Sequence, residues 1–365
     1  MKRMIALGGA VAGMLAYAAF AAPAATAKSV PAPKTLAQTN FAAKQVAAFW
    51  FAERAANLQK ATPYAVETTV STKVKHKSTV PTGAATTKPG LVGSSGDQKQ
   101  SSATAKNVNL PRTVGKVFFI GADGKPHWCT GTALQGRYKN LVATAGHCVF
   151  DIKRNKATLD KWVFVPGYYK GKTPWGIYVG KTAYTHYDFS VYEDGDRNYA
   201  FVTVYNGVQA EWEKQGRSWK LTLKDAGRLG DNVGGQGLAY NQKLGAQPVF
   251  VFGYPSGSHP DGNFAFTGQT LKWSYGKPFA AQAPAQKAEN LQGIKSAFTG
   301  EGALGSAWLL KYSNATRLGY LNGVTIGVAD TDGNGRYDTS VSPYFDGETL
   351  QVYQAAEKNW SGKIV

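Results

Sequence analysis

Cysteine is scarce in this sequence, since Cys129 and Cys148 are the only two among 365 residues. That scarcity excludes a small disulfide-dense scaffold, and without a Cys-x-x-Cys pair or a histidine cluster there is no zinc signal. In an exported chain, an even cysteine count at this close spacing predicts one disulfide. Closing the loop would stabilise the fold by about 3 kcal/mol, because it restricts the unfolded chain.

Acidic residues are also few, with 23 Asp and Glu against 41 Lys and Arg, so the formal net charge is +18. The basic excess is dense in residues 28–106, which carry 11 Lys and Arg and 3 acids. In residues 107–365 the basic residues are scattered, with no Lys/Arg run and no nucleic-acid motif. The pattern therefore predicts no nucleic-acid partner and favours attraction to an anionic cell surface.

Long apolar runs are missing beyond the N-terminus. Residues 1–27 have a basic start at Lys2 and Arg3, an apolar stretch over Met4 to Phe20, and a small-residue cleavage site at Ala25 to Ala27. These features predict a signal peptide and a secreted protein without a transmembrane segment after processing. The alternative is a retained membrane anchor, but the apolar stretch is short and rich in Ala and Gly.

Long amphipathic helices are nearly absent as well. Residues 41–63 are Ala-rich and aromatic and predict one helix that stops at Pro63. The Thr/Lys/Ser-rich text that follows has no apolar period, so we expect residues 28–106 to be a pro-segment or a low-complexity tether. A second helix is predicted at "GETLQVYQAAEKNW" near the C-terminus.

Short β-type runs separated by turn residues dominate residues 107–365. "GKVFFIG", the Asp123-Gly124 turn, "HWCTGTAL" and "LVATA" predict a β-meander that brings the two cysteines within cross-linking reach. The pattern continues in "KWVFVP", "YAFVTVY", "PVFVFGYP", "GNFAFTG" and "NGVTIGVA". The sequence therefore predicts an all-β barrel or sandwich assembly.

"CTGTAL" followed by "LVATAGHCVF" resembles the disulfide-flanked histidine of trypsin/chymotrypsin-like serine peptidases. The resemblance covers about residues 107–355 and is nearest to a secreted bacterial branch, which "KWVFVPGYY", "VGGQGLAYNQ" and "VFGYPSG" also resemble; "FWFAERAANL" resembles its pro-region. It implies two six-stranded antiparallel β-barrels with the active site in the cleft between them. His147 is then the retained catalytic base, and residues 107–365 form the peptidase domain.

The resemblance implies that an aspartate opens the strand written "NYAFVTV", but the matching residue is Asn198. An amide can hold the imidazole in the wrong tautomer, and such an Asp→Asn change lowers the rate roughly 10⁴-fold. Asp196 and Asp194 lie nearby. However, a shift of two residues along a strand moves a side chain by about 6–7 Å, so either would need a slipped loop.

The family's nucleophile lies in a Gly-x-Ser-Gly-Gly-Pro-Trp pattern, and the matching text here is "GALGSAW", aligned on Trp308. Gly302 matches the oxyanion-hole glycine, and Leu304, which has no nucleophilic atom, matches the serine. Ser306 is the alternative nucleophile, although using it would move Leu304 onto the hole glycine.

A third departure concerns the loop that carries the nucleophile. Thr267 and Ser296 stand where this branch commonly has a second disulfide. Together the departures predict a pseudopeptidase that binds a peptide or protein ligand in the inter-barrel cleft. The alternatives are an active serine endopeptidase that uses His147 with Ser306, and a calcium-dependent surface-binding module on the same scaffold.

The stretch "VADTDGNGRYDTSV" is similar to a calcium-binding loop, in which oxygen ligands surround a glycine turn. Its candidate ligands are Asp330, Asp332, Asn334, Arg336 (through its carbonyl) and Asp338. Val341 replaces the usual closing glutamate, and no helices flank the loop. The competing interpretation is an Asp/Gly-rich hairpin turn. Ca²⁺ is thus a candidate cofactor, whereas the peptidase resemblance requires none.

Overall fold

The computed structural model describes residues 32–65, 86–95, 108–151, 159–216 and 218–365. The predicted signal peptide, in residues 1–27, lies outside these residues. The described chain consists mainly of β-strands. In its first part they are β1 Ala32–Thr35, β2 Thr62–Pro63, β3 Gly90–Val92, β4 Val114–Ile120, β5 Pro126–Leu134, β6 Leu141–Thr144, β7 Asp160–Pro166, β8 Tyr178–Thr185, β9 Ala200–Val204, β10 Gly207–Gln215 and β11 Ser218–Gly227.

The later strands and the helices complete the described elements. The strands are β12 Gly237–Tyr240, β13 Val249–Gly253, β14 Ser256–Gly257, β15 Phe266–Thr267, β16 Lys272–Gly276, β17 Phe279–Ala283, β18 Ala288–Lys295, β19 Ala307–Ser313, β20 Leu318–Val324, β21 Gly327–Ala329 and β22 Thr339–Pro343. The helices are α1 Asn40–Lys60, α2 Tyr187–Tyr192, α3 Leu229–Val233 and α4 Gly347–Glu357.

Six strands close into a barrel in the order β4, β5, β6, β9, β8 and β7, with β7 returning to β4. Every pair around this ring is antiparallel. Both faces of β4 are buried, because Val117 and Phe119 join one hydrophobic cluster while Phe118 joins another. This burial on both faces explains the uninterrupted apolar run in the sequence. The closed ring of strand pairs confirms the first of the two expected barrels.

Two sheets make up the second half of the molecule. One has the order β16-β13-β19-β20-β12-β3, and the other has the order β17-β18-β22-β21. The sheets meet where the Val324 N–H donates to the Ser342 hydroxyl and the Gln292 amide donates to the Asn322 carbonyl. We assign these strands to the second barrel of the expected pair.

The described N-terminal residues pack against the first barrel. β1 adds antiparallel to β8, and the fully buried Trp50 of α1 donates its Nε1–H to the Lys161 carbonyl at 2.6 Å. α1 has non-helical backbone at Ala52–Ala55, so the single predicted helix is two helical stretches. Side chains of residues 32–65 form part of the main core, and the assignment of residues 28–106 as a pro-segment or tether stays a prediction.

The predicted C-terminal helix is confirmed as α4. Asp346 caps it by accepting the N–H groups of Glu348 and Thr349, and the Thr349 hydroxyl completes a capping box. Val352 and Ala356 are fully buried in the main core, which holds the helix against the barrels. Within the described ranges, no helix combines the length and the apolar character needed to cross a membrane.

Candidate active site

His147 lies on a short 3₁₀ turn, Gly146–Cys148, directly after β6. A disulfide joins Cys148 to Cys129 in β5, as the cysteine count predicts. Gly146 leaves room for the ring of Phe189, because a Cβ there would lie 2.5 Å from that ring. Phe189 in turn contacts the His147 ring edge-to-face at 5.3 Å. The half-buried imidazole is thus fixed between the disulfide and α2.

Asn198 is fully buried and contacts His147 twice. Its Oδ1 accepts the backbone N–H of His147 at 3.1 Å, which orients the amide so that Nδ2 faces the imidazole Nδ1 at 2.6 Å. An amide NH₂ only donates, so the neutral imidazole must accept at Nδ1 and carry its proton on Nε2. A general base needs the opposite tautomer, in which Nδ1 is protonated and Nε2 is free to accept.

The neighbouring aspartates have other partners. Asp194 accepts the backbone N–H of Asp196 at 2.9 Å, and the Asp196 carboxylate accepts the backbone N–H groups of Glu289 and Asn290. Burial raises the pKa of both carboxyls. The structure thus engages Asp196 with the start of β18, and its geometry gives no support to Asp194 or Asp196 as a substitute for Asn198.

The segment that carries the nucleophile position is built into the first barrel. Gly302 has φ +69°, and a Cβ there would lie 2.0 Å from the Trp128 ring, so only glycine fits. Thr130 of β5 donates its N–H to the Leu304 carbonyl and its hydroxyl to the Gly302 carbonyl. Leu304 is fully buried, in one hydrophobic cluster with both cysteines of the disulfide.

Ser306 points into packed interior. Its side chain is fully buried, and the hydroxyl donates to the Ala303 carbonyl at 2.6 Å. A Cβ added to Gly253 of β13 would lie only 1.9 Å from that hydroxyl oxygen, so the serine occupies the space that the glycine leaves. The Ser306 hydroxyl is thus engaged within the packed interior.

The backbone N–H of Gly302, the candidate oxyanion-hole donor, already has an acceptor. It donates to the carbonyl of Tyr64 at 2.8 Å, and Tyr64 follows β2 in the N-terminal segment. Sequence reasoning missed this contact. No local signal reveals it, because it joins two residues that lie far apart in the chain.

Solved proteases share this arrangement of strands. Protease Anisep from Arthrobacter nicotinovorans is 25% identical with a TM-score of 0.54, over 69% of this chain and 98% of its own. Thermostable serine protease AL20 from an extremophilic microorganism is 24% identical with a TM-score of 0.53, over 68% of this chain and 98% of its own. This chain has a trypsin/chymotrypsin-like serine protease fold. Neither the scan against protein-family models nor the search of curated proteins finds a match.

The two segments expected to carry the second disulfide of the trypsin-like branch are close together. Thr267 lies in β15 and Ser296 follows β18, and their neighbours Phe266 and Phe298 pack edge-to-face at 5.8 Å. The Ser296 hydroxyl accepts the backbone N–H of Phe298. Aromatic packing therefore joins the segments at the place where the resemblance implies a covalent link.

The Asp-rich loop is the turn of the hairpin formed by β21 and β22. Asp330 accepts the N–H groups of Gly333, Asn334 and Gly335, and Asp332 accepts that of Asn334. These bonds hold the turn together within the chain itself.

The remaining members of that loop also have partners within the trypsin-like fold. Burial raises the pKa of the Asp338 carboxyl, but hydrogen bonds from Lys295 and Thr331 outweigh it and bring the pKa down to about 2. Arg336 pairs with Asp261 at 2.8 Å. Among the described residues, no group of His, Cys, Asp and Glu side chains is arranged to hold a metal. The structure thus gives calcium no support and shows that the loop is the turn of a hairpin.

Proposed function

We propose that this chain is a secreted trypsin-like serine peptidase homologue that no longer cleaves peptide bonds and acts by binding. Leu304 carries the proposal. A fully buried alkyl side chain stands at the nucleophile position and packs against the disulfide cluster, where covalent catalysis requires a hydroxyl beside the histidine. Without a nucleophile, the remaining donors give only roughly 10³–10⁴-fold acceleration over water.

The state of His147 supports the same proposal independently. Because the Asn198 amide donates to Nδ1, the neutral imidazole carries its proton on Nε2 and has no lone pair on that atom to take a proton. The nucleophile is therefore replaced, and the histidine that would activate it is held in the wrong tautomer. A single substitution at either position would not restore the proton transfer that acyl transfer requires.

The ligand that fits the cleft is an extended peptide or protein segment. The Gly302 N–H and the edge of β5 are the two features that hold an extended backbone, and in this structure the Tyr64 carbonyl and β2 of the same chain use them. Secretion rests on the predicted signal peptide and is consistent with the disulfide. The net charge of +18 favours attraction to an anionic cell surface.

The active-endopeptidase alternative needs Ser306 as its nucleophile. That would require its hydroxyl to leave the Ala303 carbonyl and the space beside Gly253, and would still leave His147 in the unsuitable tautomer. The geometry therefore favours the binding proposal.

A cleavage assay tests the proposal. The full chain and its His147→Ala variant would be incubated with a diverse peptide library, and the products would be measured by mass spectrometry. We expect no cleavage that distinguishes the two proteins. The variant is the control for contaminating proteases, which would cleave equally in both samples. Cleavage by the wild type that His147→Ala abolishes would overturn the proposal.

A further inference from the structure

The short strand β2 occupies an open edge of the first barrel. β6 pairs with β5 only at residues 132–134, which leaves the earlier part of that edge without a barrel neighbour. β2 adds there in parallel, with Thr62 opposite His127 and Pro63 opposite Trp128. Pro63 has no N–H to donate, a feature tolerated at a sheet edge. The N-terminal segment thus lies along the strand that leads to the disulfide.

Tyr64 extends this pairing to the oxyanion-hole glycine. Its N–H donates to the Trp128 carbonyl at 2.9 Å, and its carbonyl accepts the Gly302 N–H at 2.8 Å. Its ring packs edge-to-face on Phe119 at 5.4 Å. One residue of the segment therefore uses both backbone groups and its side chain to bridge the strand edge and the nucleophile loop.

Side chains hold the other end of the segment. The Thr62 hydroxyl lies 2.8 Å from Nδ1 of His127, and Nε2 of the same ring lies 3.0 Å from the Asp123 carboxylate. The carboxylate orients the imidazole toward the threonine. Contacts at Thr62 and at Tyr64 thus fasten the three-residue segment at both ends.

The segment is anchored close to the groove by α1. Phe51 and Leu58 of that helix are buried in the main core, and the Ala61 N–H closes the helix on the Asn57 carbonyl. A segment held this way competes as if present at millimolar concentration, because its binding is intramolecular. A free peptide must displace this segment. The peptide's apparent affinity is therefore its affinity for the open groove multiplied by the fraction of molecules in which the groove is open.

We infer that Thr62–Tyr64 is the resident ligand of the peptide groove and masks it from other peptides. The inference rests on the proposed function, which supplies the groove, and adds how the groove is regulated. Its ligand class is an extended peptide backbone with a carbonyl that can replace that of Tyr64 on the Gly302 N–H. Anything that removes residues 62–64 from β5 exposes the binding edge.

Two variants at one position test this inference in the full chain. Tyr64→Pro removes the N–H that pairs with Trp128, whereas Tyr64→Phe keeps the backbone and the ring and serves as the matched control. Hydrogen exchange at the Gly302 amide reports whether the segment is docked. Binding of the acetylated, amidated peptide Ala-Thr-Pro-Tyr-Ala, the sequence of residues 61–65, reports whether the groove is open.

We expect the Gly302 amide to exchange at least tenfold faster in Tyr64→Pro than in Tyr64→Phe or the wild type, and the peptide to bind at least tenfold tighter. Equal exchange in all three proteins would overturn the inference, and so would faster exchange without tighter peptide binding. Should Tyr64→Pro not fold, Thr62→Val removes only the hydroxyl that contacts His127 and is expected to raise both readouts at least threefold. Peptide cleavage that depends on His147 would defeat the proposed function while leaving the exchange result intact.

Discussion

At the residue scale, the histidine side of the site could be predicted from the sequence and its partner contacts could not. The "TAGHC" text and the second cysteine identify His147 and the disulfide, and the strand pattern points to Asn198. The role of Tyr64 is invisible in the sequence, since a hydrogen bond between distant backbone groups leaves no mark on residue type. The sequence shows which side chains are available for chemistry, whereas the partners of backbone groups depend on the assembled fold.

The amide at position 198 makes a direct prediction about the proton on His147. In the wild type, ¹⁵N NMR of the neutral ring should show the Nε2–H tautomer, because Asn198 donates to Nδ1. In Asn198→Asp, a carboxylate that only accepts should reverse this and place the proton on Nδ1. The same tautomer in both proteins would show that residue 198 does not control the ring.

At the element scale, the helix predicted from local propensity at the N-terminus is interrupted in the structure. The Ala-rich stretch 41–63 predicts one continuous helix, but the backbone leaves the helical conformation at Ala52–Ala55, between Trp50, which donates to the Lys161 carbonyl, and the buried Leu58. The Asn57 side chain donates to the Phe49 carbonyl across the break. Tertiary packing therefore overrides helix propensity in this segment.

Two charged strands were missed although their sequences alternate. β10 and β11 pair along their whole length with each other, and their apolar face, which includes Trp212 and Leu221, packs against the main core while the charged face is exposed. "GNFAFTG" has that alternation, but only Phe266–Thr267 pairs as β15. Alternation alone therefore does not fix where a strand pairs, since it is present both in β10 and β11 and in a segment of which only two residues pair.

The break in α1 yields a stability prediction. Ala55 has φ +66°, a left-handed conformation that strains residues with a Cβ, whereas the next residue, Ala56, continues the helix. We expect Ala55→Gly to raise the free energy of unfolding by about 0.5 kcal/mol, and the control Ala56→Gly to lower it by about 1 kcal/mol. Urea denaturation measures both, and equal losses would show that Ala55 is not strained.

At the scale of the whole molecule, Lys116 lies where the first barrel meets the second half. It is nearly fully buried, and its ammonium lies 3.3 Å from the centre of the Trp128 ring and 4.3 Å from that of Tyr168. Tyr254, which follows β13, contributes a third ring at 5.6 Å. The aromatic rings attract the cation, but burial is the larger influence and lowers the pKa of Lys116 well below 10.5.

That lowered pKa predicts a specific dependence of stability on pH. Between the folded pKa and 10.5 the unfolded chain binds the proton and the folded chain does not, so the free energy of unfolding rises with pH over this window. Lys116→Met removes this contribution. Its stability relative to the wild type should therefore be highest at low pH and fall as the pH approaches 10.5.

An exposed lysine provides the control for that series. Lys172→Met makes the same change of charge at an exposed position, and its stability relative to the wild type should not follow this profile. Denaturant unfolding at several pH values measures all three proteins. A Lys116→Met difference that stays constant across the pH range would contradict the assignment of a lowered pKa.

The central claim is that a buried leucine has replaced the nucleophile and that Ser306 does not take its place. Titration of the full chain with a fluorophosphonate probe tests this most directly, with adducts located by mass spectrometry. We predict no adduct on the wild type, on His147→Ala or on Ser306→Ala. An adduct on Ser306 of the wild type that disappears in both variants would contradict the claim and establish an active serine hydrolase.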